Sequence, residues 1–224
     1  IEIPRGGDRT VVVQTAQQTL SHHELAAGGN AVTLRWLDPI TSAGERLRGD
    51  ITVTAAIEQA GLRLTLSLDL EEGGVEAVRF PSVRGVRPTT AELELRGVDY
   101  STGTRVGLLP VFDSNAPYWG TMFPDYASGN LRPELVGNPT SPFVALVTDA
   151  GGITVMPAEP TLDFIGWRAS LEPGFADSLA RTAGLDAAVT LDAIHFPAAT
   201  GNRIELPAMS LTPYAGDWTG SLEP

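Results

Sequence analysis

Alternation of apolar and polar residues along the chain predicts β-structure throughout. The clearest case is residues 62–70, in which five leucines occupy every second position and polar residues occupy the others. Successive side chains of a strand point to opposite faces, so this segment has one buried face and one wet face. Similar runs follow one another between clusters of Gly, Pro, Asp and Asn. The predicted strands are residues 10–14, 31–37, 51–58, 62–70, 75–81, 91–97, 143–148, 152–156, 162–170, 187–196 and 203–212.

About a dozen short strands at regular spacing predict an all-β fold, and more closely a large antiparallel β-sandwich. A parallel α/β fold needs amphipathic helices between its strands, and the sequence does not provide them. Only residues 15–27 and 177–183 have a helical pattern, and glycine follows each of them. Because 224 residues suit one large β domain, we expect residues 1–224 to form a single domain.

Composition and charge exclude several classes of partner. The net charge is −12 and the isoelectric point is about 4.6, whereas a nucleic-acid surface needs clustered cations. No apolar run approaches the roughly 20 residues of a transmembrane helix, so we predict neither a nucleic-acid nor a membrane partner. With no cysteine, disulfides and thiolate metal sites are impossible. The sequence does not determine the cellular compartment, although secretion is slightly favoured over the cytoplasm.

A loop dense in aromatic and polar groups is the best candidate for a binding site. It follows an apolar strand that starts at Val106, and prolines fix its backbone. An aromatic ring can stack on the C–H face of a pyranose while carboxylate and amide groups bind its hydroxyls. The alternative is that these aromatic side chains cap the sandwich or pack against a neighbouring domain. The predicted substrate-binding residues are Asp113, Asn115, Tyr118, Trp119, Asp125 and Tyr126.

No residue is assigned to catalysis, a metal or a cofactor from the sequence. His22 and His23 are adjacent, so they point in different directions and do not form a metal-ligand pair. His195 lies in an apolar run and is expected to be a sheet residue. A glycosidase needs two carboxyl groups at a defined separation, and Asp113 with Asp125 or Glu134 is conceivable. The sequence does not determine whether loop carboxylates bind a calcium ion.

The order of short motifs along the chain suggests a family. The chain resembles the N-terminal β-supersandwich, related to the galactose mutarotase-like fold, that precedes a (β/α)₈ catalytic barrel in several glycoside hydrolase families. Phe80-Pro81 at a strand end and the final Gly-Asp-Trp contribute most to this resemblance. The motifs are Trp36-Leu37-Asp38, the strands at 51–58 and 62–70, Val78-Arg79-Phe80-Pro81, the aromatic loop, the hairpin at 143–156 and Tyr214-Ala215-Gly216-Asp217-Trp218.

The resemblance implies an accessory domain of a carbohydrate-active enzyme, whose partners are carbohydrate and a catalytic barrel domain or chain. It implies that the principal catalytic carboxylates lie outside this sequence, and that residues 1–224 are the N-terminal part of a longer enzyme. An exposed apolar patch is then expected. A free-standing carbohydrate-binding or structural module is the alternative. An aldose-epimerase-like enzyme would need a histidine and a carboxylate in one concave pocket.

Overall fold

The computed structural model describes residues 1–5, 10–71, 74–86, 94–98, 106–110, 130–131, 143–148, 151–172, 188–197 and 203–216. Their regular secondary structure is β-strand apart from one 3₁₀ turn, and every strand pair with a defined register is antiparallel. The predicted fold class, an all-β antiparallel sandwich, is confirmed. The strands are β1 (Glu2–Pro4), β2 (Thr10–Val12), β3 (His22–Leu25), β4 (Ala31–Leu37), β5 (Gly49–Glu58), β6 (Gly61–Leu70), β7 (Val78–Val86), β8 (Glu94–Val98), β9 (Val106–Pro110), β10 (Asn130–Leu131), β11 (Val144–Thr148), β12 (Gly151–Pro157), β13 (Ile165–Glu172), β14 (Ala188–His195), β15 (Arg203–Glu205) and β16 (Met209–Ala215).

The chain divides into two compact units. The first unit comprises residues 1–80, 157–165 and 194–210, and the second comprises residues 81–156, 166–193 and 211–224. Both are built from segments that are distant in the sequence. That residues 1–224 form a single domain remains a prediction.

The first unit is organised by the hairpin of β5 and β6. The ten residue pairs of this hairpin run from Gly49 opposite Leu70 to Glu58 opposite Gly61. On one side β4 pairs with β5 and β3 pairs with β4, while β15 pairs with β6 on the other side. The strand order is therefore β3-β4-β5-β6-β15, and β1 and β2 form a separate pair.

The core of the first unit lies against the leucine face of β6. Leu66, Leu68 and Leu70 are all buried, as the period-two pattern predicts. Ile51 on β5 lies opposite Leu68, and directly opposite residues share a face of the sheet. Phe80 completes the cluster from the start of β7. These contacts remove apolar surface from water, which is the main force that holds the unit together.

In the second unit the strand order is β16-β12-β11-β8-β9, and a further sheet of four strands, the greater part of which lies in this unit, has the order β10-β13-β14-β7. The hairpin predicted around residue 150 is confirmed, with Val144 opposite Val155. Gly152 has no room for a side chain, because a Cβ atom there would collide with the Leu146 carbonyl oxygen and the Tyr214 ring. Backbone and aromatic ring can therefore approach each other closely at this position.

The helix predicted over residues 15–27 is wrong. The structure has a single 3₁₀ turn at Thr15–Gln17, and β3 follows at His22–Leu25. Pairing with β4 satisfies the backbone of β3, and Gly29, at φ 68°, closes the connecting turn. The predicted strand at 203–212 is also divided into β15 and β16, since Pro207 between them has no N–H to donate. The helix predicted at 177–183 lies outside the described residues.

Candidate functional site

The aromatic loop of the sequence prediction lies outside the described residues. The structure describes β9 (Val106–Pro110), which precedes the loop, but none of the predicted substrate-binding residues. The conceivable carboxylate pairs that use Asp113, Asp125 and Glu134 lie outside it as well. Sugar binding by this loop therefore stays a prediction.

The described part of the first unit contains a cleft with a volume of about 260 Å³. Three segments form it: the residues before β13, the end of β14 with the residues after it, and β15 with the residues after it. Charged, aromatic and apolar side chains all line it. They are Asp163, His195, Phe196, Pro197, Arg203, Ile204, Glu205, Leu206 and Pro207.

The pairing of β15 with β6 positions the charged side chains of the cleft. Ile204 lies opposite Leu68 and is buried in the core of the first unit. Because side chains alternate along a strand, Arg203 and Glu205 point to the other face together. They form an ion pair there, with Nη2 of Arg203 2.6 Å from Oε1 of Glu205 and Nε 3.1 Å from the same oxygen.

Two phenylalanines form an exposed aromatic pair at the cleft. The backbone N–H of Phe196 donates to the carbonyl oxygen of Phe164 at 3.4 Å, which joins the two segments. The ring centroids are 5.4 Å apart and the ring planes are inclined at 49°, a separation typical of favourable aromatic pairs. Phe164 is 50% exposed and Phe196 is 43% exposed, so the pair presents ring surface to solvent.

His195 is the last residue of β14 and is only 1% exposed. Its Nε2 lies 2.6 Å from the carbonyl oxygen of Phe80, which can only accept a hydrogen bond, so Nε2 carries the proton. Nδ1 is buried and has no hydrogen-bond partner within the described ranges. Burial lowers the pKa of His195, although the bond to Phe80 and the charge of Asp163 oppose this shift.

His195 is therefore a neutral structural residue. A histidine and two carboxylates, Asp163 and Glu205, do line one cleft, as an epimerase would require. However, one imidazole nitrogen is bonded to backbone and the other is buried, so neither is free to exchange a proton with a substrate. The geometry does not favour the epimerase alternative.

The charged groups at the cleft leave an excess of negative charge. Asp163 is exposed, and its Oδ2 accepts a hydrogen bond of 2.9 Å from Thr161. Two carboxylates and one guanidinium line the cleft, and His195 is neutral. No group of three or more metal-ligating side chains occurs among the residues described, and His22 and His23 are both exposed on the edge strand β3.

A second polar cluster lies in the second unit. The hydroxyl of Ser82 on β7 donates to Oδ1 of Asp192 on β14 at 2.6 Å. Nε of Arg84 donates in turn to the Ser82 oxygen at 3.1 Å. Asp192 is buried, so these bonds compensate for removing its carboxylate from water. The cluster joins β7 to β14.

Comparisons with known proteins agree with this fold and do not establish a family. No protein-family model matches the chain, and no curated protein matches it. Among solved structures, the chain is similar to a quadruple mutant of the α-N-acetylgalactosaminidase NagBb from Bifidobacterium bifidum, with a TM-score of 0.55 and 14% sequence identity. The similarity covers 98% of this chain but 31% of that chain. At this identity it shows the fold alone.

The sequence prediction did not identify the cleft. Its residues come from three separate segments: the bond between Phe196 and Phe164 joins two of them, and the pairing of β15 with β6 positions the third. The alternation of Arg203, Ile204 and Glu205 was a usable signal, since it places two opposite charges on one face.

No helix within the described ranges has both the length and the apolar character needed to cross a bilayer.

Proposed function

We propose that this chain is an accessory β-sandwich of a carbohydrate-active enzyme, a glycoside hydrolase, and that it packs against the catalytic barrel. The catalytic carboxylates belong to that barrel. The aromatic loop from Asp113 to Tyr126 contributes to sugar binding in this proposal.

The fold similarity is the observation on which the proposal depends. The solved structure that matches is named as an α-N-acetylgalactosaminidase, and 98% of this chain corresponds to 31% of that enzyme chain. In that enzyme a region with this fold is therefore part of a much longer polypeptide. A region of this kind suits a supporting role beside a separate catalytic domain.

An apolar sheet face in the first unit supports packing against another domain. Leu25 lies opposite Val32, Val32 opposite Ala55, and Ile57 opposite Leu62. Directly opposite residues share a face, so these side chains continue the face that carries the leucines of β6. We call the region of Leu25, Val32, Ala55, Ile57 and Leu62 the apolar end.

Exposure rises steeply along this face. Ile51 is 6% exposed and Leu68 is 0% exposed, whereas Leu25 is 65% and Ile57 is 66% exposed. The apolar pattern thus extends beyond the part that the core covers. Contiguous exposed apolar residues commonly mark sites of contact with another protein surface. The catalytic barrel is the partner that the proposed function provides.

Binding between separately produced parts tests this proposal. The 224-residue chain and the remainder of the source polypeptide would be mixed, and their affinity measured by calorimetry. We expect Ile57→Asp to weaken binding at least tenfold, because a charge in an apolar contact must be desolvated without a partner. Ala56→Asp is the matched control, since Ala56 is next in sequence but points to the opposite face, opposite Arg63.

Equal effects of the two substitutions would show that the apolar end is not the contact. A source polypeptide that contains nothing beyond this chain would contradict the accessory role itself. In that case the alternative, a free-standing carbohydrate-binding module, becomes the better description.

A further inference from the structure

We propose that the cleft of the first unit binds one neutral pyranose residue of a carbohydrate, through residues other than those of the aromatic loop. The choice of a sugar as the ligand depends on the proposed function. The location depends on the geometry of the cleft alone.

The aromatic pair provides the surface for the ring of the sugar. Phe196 lines the cleft, and its contact with Phe164 fixes the orientation of its ring. Nearly half of each side chain is exposed, at 43% and 50%. An exposed ring held in place can pack on the C–H face of a pyranose at little cost in conformational entropy.

The ion pair beside the ring has hydrogen-bonding capacity to spare. Both contacts between Arg203 and Glu205 use Oε1 of the glutamate. Its Oε2 is not used by this pair, and neither are the remaining N–H groups of the guanidinium. Because β15 is paired with β6, both side chains are held on one face. They offer an acceptor and several donors to neighbouring hydroxyl groups.

Asp163 contributes acceptors from a different segment of the cleft. Its Oδ2 accepts a bond from Thr161, so the carboxylate is oriented while Oδ1 is not used by that bond. Donors and acceptors thus flank an aromatic surface, which is the arrangement that a polyhydroxylated ring requires.

Charge and size restrict the ligand further. The excess of one negative charge disfavours phosphate, sulfate and sugar acids, because like charges repel. The volume of about 260 Å³ is slightly below the roughly 300–1,000 Å³ of sites for drug-sized ligands. A single neutral sugar ring fits these two limits better than an oligosaccharide anion.

Saturation-transfer NMR on the 224-residue chain tests the site. The ligands would be the methyl glycosides of glucose, galactose, mannose and N-acetylgalactosamine, with methyl glucuronide as the charged comparison. We expect at least one neutral glycoside to bind and glucuronide to bind more weakly. Phe196→Ala should weaken that binding roughly tenfold, and Arg203→Ala about three- to tenfold.

Matched control variants separate the cleft from other surfaces. Leu37→Ala removes an exposed apolar side chain elsewhere in the first unit. Arg48→Ala removes an exposed arginine that also pairs with a glutamate, Glu71, at 3.7 Å. Neither control should change the affinity. Thermal unfolding of every variant would show that each remains folded.

Binding that survives both Phe196→Ala and Arg203→Ala would overturn this inference, and so would its loss in Trp119→Ala alone. No binding of any glycoside by the folded chain would overturn it as well. None of these results bears on whether the source protein hydrolyses glycosides, so failure of the cleft and failure of the proposed function remain distinguishable.

Discussion

The leucine face of β6 and the cleft at the end of β14 are parts of one unit that bury their residues differently. Leu66, Leu68 and Leu70 are buried by apolar contact, which is non-directional and tolerates any neighbour of suitable shape. His195 is buried just as deeply but depends on one hydrogen bond to a carbonyl oxygen 115 residues away. The first region provides stability, and the second holds polar and aromatic groups in a defined geometry.

The two regions should respond differently to substitution and to pH. An apolar face loses stability in proportion to the volume removed from it, at any pH. A buried polar residue responds to its protonation state and to the loss of its single partner. Substitutions in the two regions should therefore differ in both size and pH dependence.

The largest loss of stability is expected from Leu68→Ala, on the leucine face of β6. Leu68 is completely buried, so the substitution removes apolar contacts and leaves a cavity. We expect the free energy of unfolding to fall by about 2–5 kcal/mol, measured by urea denaturation. Leu25→Ala, at a position 65% exposed, should change it by less than about 0.5 kcal/mol. Similar losses for both would contradict the assignment of the core.

The next effect is expected from Gly49→Ala at the start of β5. Gly49 has φ 125°, and a Cβ atom there would collide with the backbone carbonyl of Asp69. Gly44 has φ 82° with open space around it, so Gly44→Ala measures the backbone strain without the collision. We expect a loss of about 1–3 kcal/mol from strain alone and a larger loss for Gly49→Ala, by urea denaturation. An equal loss at both positions would show that β5 and β6 can separate freely here.

The pH dependence of stability distinguishes the second region. Burial lowers the pKa of His195 below its ordinary value of 6.5. The unfolded chain therefore binds more protons than the folded chain between the two pKa values. Stability from this residue is complete above about pH 6.5 and decreases as the pH falls towards the lowered pKa of the folded state.

Two variants of His195 test this account by urea denaturation at several pH values. His195→Gln can still donate to the Phe80 carbonyl but does not titrate, so the decrease below pH 6.5 should become smaller. His195→Leu leaves that carbonyl unpaired and should cost about 1–3 kcal/mol at neutral pH. An unchanged pH profile in His195→Gln would show that the decrease comes from other groups.

The local alternation of apolar and polar residues was sufficient to predict the strand that carries the leucine face. The alternation in residues 62–70 predicted β6, which the structure has at Gly61–Leu70, and the strand at 31–37 was predicted to the residue. In β6 the period of two in the sequence reflects the burial of one face of the strand. The helix predicted at 15–27 failed because the pairing of β3 with β4 outweighs a weak helical pattern.

The cleft could not be predicted in this way. His195 was expected to be a sheet residue, and it is the last residue of β14. Its partner, however, is a backbone carbonyl, and every residue has one, so no sequence pattern marks Phe80 as the acceptor. The meeting of Asp163, Phe196 and Arg203 likewise depends on strand pairing across long separations, which local periodicity does not determine.

We propose that this chain supports glycoside hydrolysis without performing it. The most direct measurement compares the source protein with the isolated 224-residue chain on a panel of nitrophenyl glycosides that includes the α-N-acetylgalactosaminide. We predict release of nitrophenol by the source protein and none by the folded chain. Hydrolysis by the 224-residue chain itself, or a source protein inactive on every glycoside of the panel, would contradict the claim.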